Sequence, residues 1–376
     1  MKRIDHKLLS ASLGSRRTLT SFHFGTPGMG KKIYIQASLH AEELPGMLAA
    51  YHLRPILEAM DAAGEIQGEI VLVPVANPIG LAQRLDHKPM GRFELDTAEN
   101  FNRHYPDLAT ALLPGILEDL GSDAQVNVKA VRLAIGIYLK QWAPQTELQS
   151  LRKTLLTLAH DSDIVLDLHC DCEGVVHFYC EEACWPTLEP IARFIGSRAI
   201  LLVKDSGGGP IDECLSGVWW RLAEAIAKAG LTHPLPQGCC TTTIELRGEL
   251  NVEHVYGIQD AQAIAFYLKH IGVLKSPNPP APPPLQCNPT PLAGSETLLA
   301  ASAGIVVYAV RVGQTLRAGE LVAEVIDPID NITLPVCAGV DGVFYARIRD
   351  RYVTAGCKIG KIAGATAFRT GSLLGN

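Results

Sequence analysis

The chain has 376 residues, 47% of them apolar, and a formal net charge of −6. That length is too great for one typical domain and suits two. The mild acidity carries no basic stripe for nucleic acid, and no stretch approaches the roughly 18–20 apolar residues of a membrane span. The N-terminal MKRIDHKLLSASLGSRR lacks an apolar core of signal-peptide length. The ten cysteines are irregularly spaced, with Cys239 and Cys240 adjacent and Cys170 and Cys172 flanking Asp171, unlike a secreted disulfide framework. A cytoplasmic chain with free thiols, binding neither nucleic acid nor membrane, is the expectation. A small anionic substrate would need local positive charge from a metal or a few arginines.

In chain order, IYIQAS (33–38) predicts a strand, LPGMLAAYHLRPILEAMDAAG a helix, and EIVLVPVAN (69–77) a second strand. TELQSLRKTLLTLAHD has helical periodicity. DIVLDLH (163–169), AILLV (199–203) and TTTIELR (241–247) read as further strands, and IQDAQAIAFYLKHIGVL as a closing helix. Strands alternating with helices predict an α/β fold with a mixed, largely parallel sheet, and ligands of such sheets bind beyond the carboxyl ends of the strands. Residues 276–291, SPNPPAPPPLQCNPTP, predict a stiff spacer between a catalytic-sized domain (1–275) and a small all-β barrel or sandwich domain (292–376). The β region repeats a unit weakly, Val310 to Leu321 and Val353 to Ile359. It resembles biotinyl/lipoyl-type domains without a lysine at a clear hairpin tip, so a packing or site-covering module is expected and no covalent cofactor. Its strands could pair between chains, which leans toward a homo-oligomer.

Chemistry concentrates in a few places. His40 and Glu43 form H-x-x-E directly after the first strand, and three-residue spacing at a helix start can aim both side chains at one point. Zinc accepts imidazole and carboxylate, and catalytic sites use three protein ligands. Alone, the pair reads more readily as a solvated loop His and Glu. His169 ends a strand, and Asp167, two residues earlier, shares its face and suits the carboxylate that supports a metal-bound histidine. Glu245 sits within a strand, where a carboxylate is costly unless paired or functional; it suits a general base, and the bland alternative is a salt bridge to Arg247. Asn102 and Arg103 lie in ENFNRHYP and Arg92 in GRFELD, where arginine forks can bind a carboxylate or an oxyanion. His177, His254 and Cys170 are set aside as ligands, since three better-placed groups complete a catalytic set. Ser206–Pro210 (SGGGP) lacks the Lys-Ser/Thr of a phosphate loop and is expected at the rim of the site. Trp219 and Trp220 are expected to pack.

Taken in order, H-A-E-E (40–43), N-P (77–78), R-F (92–93), N-F-N-R-H-Y-P (100–106), D-L-H (167–169) and I-E-L-R (244–247) resemble the succinylglutamate desuccinylase/aspartoacylase family of the zinc carboxypeptidase superfamily. The resemblance covers residues 30–270, and the trailing β domain is typical of the family. It implies one Zn2+ per chain on His40, Glu43 and His169, Glu245 as general base and then acid, Arg92 polarising the scissile carbonyl with Arg84 as competitor, and Asn102 and Arg103 holding a substrate carboxylate. The expected activity is zinc-dependent hydrolysis of the amide of a small N-acyl amino acid or related N-acyl amine. The alternatives are a zinc carboxypeptidase of short peptides and a non-catalytic binding protein on the same scaffold.

Overall fold

The computed structural model describes residues 1–374. In chain order the elements are β1 (Lys2–Lys7), β2 (Thr18–Gly25), β3 (Lys31–Ala37), α1 (Pro45–Ala62), β4 (Gly68–Val73), α2 (Pro78–Ala82), and the short hairpin β5 (Arg84–Leu85) and β6 (Lys88–Pro89). There follow α3 (Leu108–Ile116), α4 (Ala124–Gln141), α5 (Glu147–Ala159), β7 (Ile164–Asp171), β8 (Glu173–Gly174), β9 (His177–Glu181), α6 (Trp185–Phe194) and β10 (Ala199–Val203). Then come α7 (Ile211–Lys228), β11 (Cys240–Gly248), α8 (His254–His270) and β12 (Thr290–Pro291). The C-terminal region holds β13 (Ser295–Leu299), β14 (Gly304–Tyr308), β15 (Thr315–Leu316), β16 (Leu321–Asp327), β17 (Ile332–Cys337), β18 (Gly342–Arg347), β19 (Tyr352–Val353) and β20 (Lys358–Gly364).

Nine strands form one mixed sheet in the order β1-β2-β4-β3-β7-β11-β9-β10-β12. Its centre, β4-β3-β7-β11, is parallel, and β9 runs antiparallel to β11. Alternation along the strands fills two helical layers. Ile33, Ile35, Ile164, Leu166 and Ile244 meet α1, α6 and α8 on one face, whereas Tyr34, Val71 and Val165 meet α3, α4, α5 and α7 on the other. Polar Asp167, His169, Thr243 and Glu245 alternate with the residues of the first face, so they lie on the second. No helix among the described residues is long and apolar enough to cross a membrane, and the ten cysteines are free thiols.

The expected strands and helices all occur, within a residue or two at most ends and with α8 starting four residues before the expected stretch. Several elements were not anticipated. β1 and β2 pair antiparallel at an edge, and β1 is too charged and exposed to signal burial. Within α4, AQVNVKAVRLAIGIYLKQ is rich in β-branched residues, which blur a helical reading. Asp123 nevertheless caps it, accepting from the backbone of Gln125 and Val126 at 2.8 and 3.0 Å.

The C-terminal strands form two antiparallel sheets, β13-β20-β18-β15 and β17-β16-β14-β19, around Val306, Val325, Phe344, Ile359 and Ile362. These sheets are stitched to the large one. β18 pairs with β8, Val175, Leu201, Tyr345 and Ala363 share an apolar seam, and β12 joins the large sheet beside β10. The proline-rich stretch lies along α6, where Arg193 donates to the carbonyls of Pro282 and Pro283 at 3.2 and 2.5 Å.

Candidate metal centre and active site

The loop 38–44 leaves β3 and turns directly into α1, bringing His40 and Glu43 to the carboxyl edge of the sheet. Three contacts fix this loop. Ser38 Oγ donates to the Glu43 carbonyl at 2.6 Å, Asn77 Nδ2 donates to the Leu39 carbonyl at 2.8 Å, and Ala41 N donates to the Gly91 carbonyl at 3.0 Å. Gly91 is required by close approach, since a Cβ there would stand 2.6 Å from the Glu42 nitrogen. Gly46 does the same for the start of α1, where a Cβ would meet the Leu168 carbonyl at 2.9 Å. His169 arrives from the end of β7, next to β3.

Glu43 spans the two imidazoles: Oε1 lies 2.9 Å from His40 Nδ1, and Oε2 lies 2.8 Å from His169 Nδ1. Each ring is held from behind. His40 Nε2 lies 2.9 Å from Asn100 Oδ1, and His169 Nε2 lies 3.0 Å from Asp167 Oδ2. Asp167 Oδ1 in turn accepts from Gln36 Nε2 at 2.9 Å. All three central side chains are buried. Asn100 Oδ1 can only accept, so His40 Nε2 carries the proton and the His40 Nδ1 lone pair faces the carboxylate; the Asp167 carboxylate, 3.0 Å from His169 Nε2, favours positive charge on that ring.

A buried carboxylate between two nitrogen lone pairs has only the half-exposed Arg92 guanidinium, 3.4 Å from Oε1, as a positive partner. Without a metal, protonation makes up the deficit. Burial opposes it, but Asp167 and Glu43 hold the His169 imidazolium well above the usual range. Burial would raise Glu43, yet His40 and His169 carry it well below. Burial, with the Arg92 cation, takes His40 down to about 4. The donor set of two Nδ1 atoms and one carboxylate, all within 4.8 Å of one another, therefore fits a divalent cation with room for further ligands.

The remaining expected residues fall as follows. Arg92 Nη1 lies 3.3 Å from His40 Nδ1 and 3.4 Å from Glu43 Oε1, on the open side of the cluster. Arg84 sits on the exposed β5–β6 hairpin, reaching only the His87 carbonyl at 3.5 Å. Glu245 is in register with His169 across β11 and β7. Burial, with Glu43 nearby, pushes its carboxyl up to about 8. It makes no bridge to Arg247, which pairs with Asp260 and lies over Tyr256. Asn102 Oδ1 accepts from Ile211 N at 3.0 Å, so this side chain also caps α7. Arg103 donates to the Asn102 carbonyl at 2.7 Å and packs against Gly208 of the glycine-rich loop. His254 pairs with His52 at 3.0 Å, remote from the centre.

Sequence reasoning did not single out Asn100 or Arg152. Asn100 holds His40 and also accepts from Asn102 N at 2.8 Å. Arg152 of α5 donates to the Asn100 carbonyl at 3.1 Å and to Glu99 at 2.8 Å, pinning the segment that carries Asn100, Asn102 and Arg103. Asn100 lies in the N-F-N-R motif, so its signal was present; nothing local to Arg152 announces its role. From the C-terminal sheets, Lys361 of β20 donates to Asp171 Oδ2 at 2.6 Å, two residues beyond His169.

The three-layer α/β scaffold carries, at the carboxyl edge of its central strands, a His-Glu-His cluster that could hold a metal ion. Residues 29–118 match the model of the succinylglutamate desuccinylase/aspartoacylase catalytic domain, a span that includes His40, Glu43, Arg92, Asn102 and Arg103. Two solved structures assigned to that family align over nearly the whole chain. One, from Shewanella frigidimarina NCIMB 400, is 25% identical with a TM-score of 0.86, covering 96% of this chain and 97% of its own. The other, from Shewanella amazonensis SB2B, is 26% identical with a TM-score of 0.83, covering 96% and 98%. The product-bound ectoine utilization protein EutE (DoeB) of Ruegeria pomeroyi shares the fold at 14% identity and a TM-score of 0.66, covering 97% and 95%. No match was found among curated proteins. Over residues 29–118 the chain is thus similar to the succinylglutamate desuccinylase/aspartoacylase catalytic domain, and its whole fold is similar to solved structures that carry that name.

Proposed function

We propose that this protein hydrolyses the amide bond of a small N-acyl amino acid or related N-acyl amine bearing a carboxylate, with one Zn2+ held by His40, Glu43 and His169. The observation that carries the proposal is the buried Glu43 carboxylate set between two outward-braced imidazoles, with Glu245 on the neighbouring strand. A divalent cation bound there supplies a Lewis acid for the acyl oxygen and lowers the pKa of water.

The chain's own groups do the rest. Glu245 takes a proton from the attacking water as the oxygen–carbon bond forms, and returns it to the nitrogen as the carbon–nitrogen bond breaks. A group whose pKa is raised toward neutrality suits both transfers. Arg92, beside the cluster, donates to the oxyanion that develops on the acyl oxygen. Asn102 and Arg103 orient the substrate carboxylate, with Asn102 free to use its amide N–H groups because its oxygen is committed to α7. We read residues 1–275 as the catalytic domain, 276–291 as its spacer and 292–376 as a β domain that walls the site.

The test is a panel of N-acetyl and N-succinyl amino acids, with short peptides as the rival class, assayed with zinc-loaded wild type and Glu245→Gln. Turnover of acyl amino acids by wild type, lost in the variant while zinc is retained, is expected. Peptide trimming from the C-terminus, or wild-type rates in the variant, would overturn the proposal.

A further inference from the structure

The segment after β20 reaches back to the glycine-rich loop 206–209. Phe368 and Arg369 donate their backbone N–H groups to the Ala293 carbonyl at 3.1 and 3.0 Å, which ties the segment to the chain just ahead of β13. It then turns back on itself. The backbone N–H of Leu373 donates to the Ser206 carbonyl at 2.9 Å, and Leu373 and Leu374 lie against the apolar seam of Leu201, Leu292 and Tyr345. Ser372 packs on Gly207, where a Cβ would stand 3.2 Å from Ser372 Cα.

The loop in turn forms a wall for Arg103. A Cβ on Gly208 would stand 2.9 Å from Arg103 Cδ and 3.0 Å from its Nε, so loop backbone lies directly on the arginine side chain. The carbonyls of Gly208 and Gly209 accept from His104 and Tyr105, the two residues after Arg103, at 3.4 and 3.0 Å. A run of three glycines loses much backbone freedom when ordered, so such a loop keeps one shape only if it is fastened at several points. Ser206 N donates to Glu213 Oε1 and Gly207 N to Asp205 Oδ1, each at 2.9 Å. Leu373 adds a fastening from a distant part of the chain.

Arg369 holds that fastening in place. Its Nη1 donates to the Ser295 carbonyl at 3.1 Å and its Nη2 to the Leu373 carbonyl at 2.6 Å. One guanidinium thus joins β13 to the residue that grips the loop. Charged donors make the stronger hydrogen bonds, and arginine supplies both from one rigid plane. We propose that Arg369 is a positioning residue for substrate binding: it latches residues 369–373 onto the glycine-rich loop, and the loop holds Arg103 in the pose that receives the substrate carboxylate. Arg369 does not touch substrate. The β domain then contributes to substrate affinity and not to bond cleavage. Losing an orienting contact made equally in the ground and transition states raises KM and leaves kcat unchanged.

The proposal rests on Arg103 binding the substrate carboxylate, so its test has one arm that does not depend on turnover. Hydrogen–deuterium exchange of the peptide covering 204–210 should be about 3–10-fold faster in Arg369→Ala than in wild type, with zinc content unchanged. Arg369→Lys, which can reach one carbonyl, should lie between the two. In the kinetic arm, with the best substrate from the acyl amino acid panel, Arg369→Ala should raise KM about 3–10-fold, with kcat within about twofold. In an Arg103→Ala background the same substitution should leave KM within about twofold, because the latch acts through Arg103. Unchanged exchange in Arg369→Ala, an effect carried by kcat instead of KM, or full additivity in the Arg103→Ala background would overturn the proposal. If wild type turns over no acyl substrate while exchange responds as stated, the assigned reaction fails and the latch on the loop stands.

Discussion

Asp167 Oδ2 lies 3.0 Å from His169 Nε2, on the side of the ring opposite the nitrogen that His169 offers to Glu43 at 2.8 Å. The carboxylate favours a proton on Nε2, which leaves Nδ1 for the proposed metal. Carboxylates in this position commonly affect metal affinity about 10–100-fold. Asp167→Asn is expected to weaken zinc binding by about that factor, measured by competition with a chromophoric chelator. Unchanged affinity would mean that Gln36 and the strand alone orient His169.

Arg92 and Arg84 make opposite predictions. Arg92 approaches Glu43 and His40, whereas Arg84 lies out on a hairpin. Arg92→Ala should lower kcat about 10²–10³-fold, the usual effect of removing one oxyanion donor. Arg84→Ala should stay within about threefold of wild type. Steady-state kinetics on one acyl amino acid decide between them, and the reverse ranking would reassign the carbonyl-polarising role.

Much of the centre was legible in the sequence because its chemistry is local to strand ends. His40 and Glu43 follow β3, and Asp167 and His169 share a face through the two-residue period of β7. What could not be read depends on contacts across long separations. The Asn100 brace on His40 spans 60 positions, and the Arg152 contact to the Asn100 carbonyl spans 52. The pairing of Glu245 with His177 needed the strand order, because β9 is inserted antiparallel beside β11 and nothing in HFYCE indicates its neighbour. The proline-rich stretch was legible as a break in regular structure; its attachment to α6 was not, since it uses backbone carbonyls that any sequence provides.

The raised Glu245 carboxyl has a consequence for stability. Burial beside Glu43 sets it at about 8 in the metal-free fold, whereas an unfolded glutamate titrates near about 4.3. Folding thus favours the protonated form. This contribution is complete below about pH 4.3 and is lost as the pH rises through about 8. Metal-free wild type should lose stability relative to Glu245→Gln between about pH 5 and 8, and the difference should level off above that range. Urea unfolding of both proteins at several pH values checks this, and a difference that is flat with pH would contradict it.

Zinc should also report through folding. A ligand bound only by the native state stabilises it by about 2.7 kcal/mol at 100 times its Kd. Thermal unfolding of wild type should shift upward on adding zinc, whereas His169→Ala, which lacks one of the three donors, should shift little at the same concentration.

The most direct measurement is the metal content of purified protein after zinc loading and desalting, with wild type compared with Glu43→Ala. One zinc per chain in wild type and almost none in the variant is the predicted result. Equal zinc in both proteins, or none in either, would contradict a centre built on His40, Glu43 and His169.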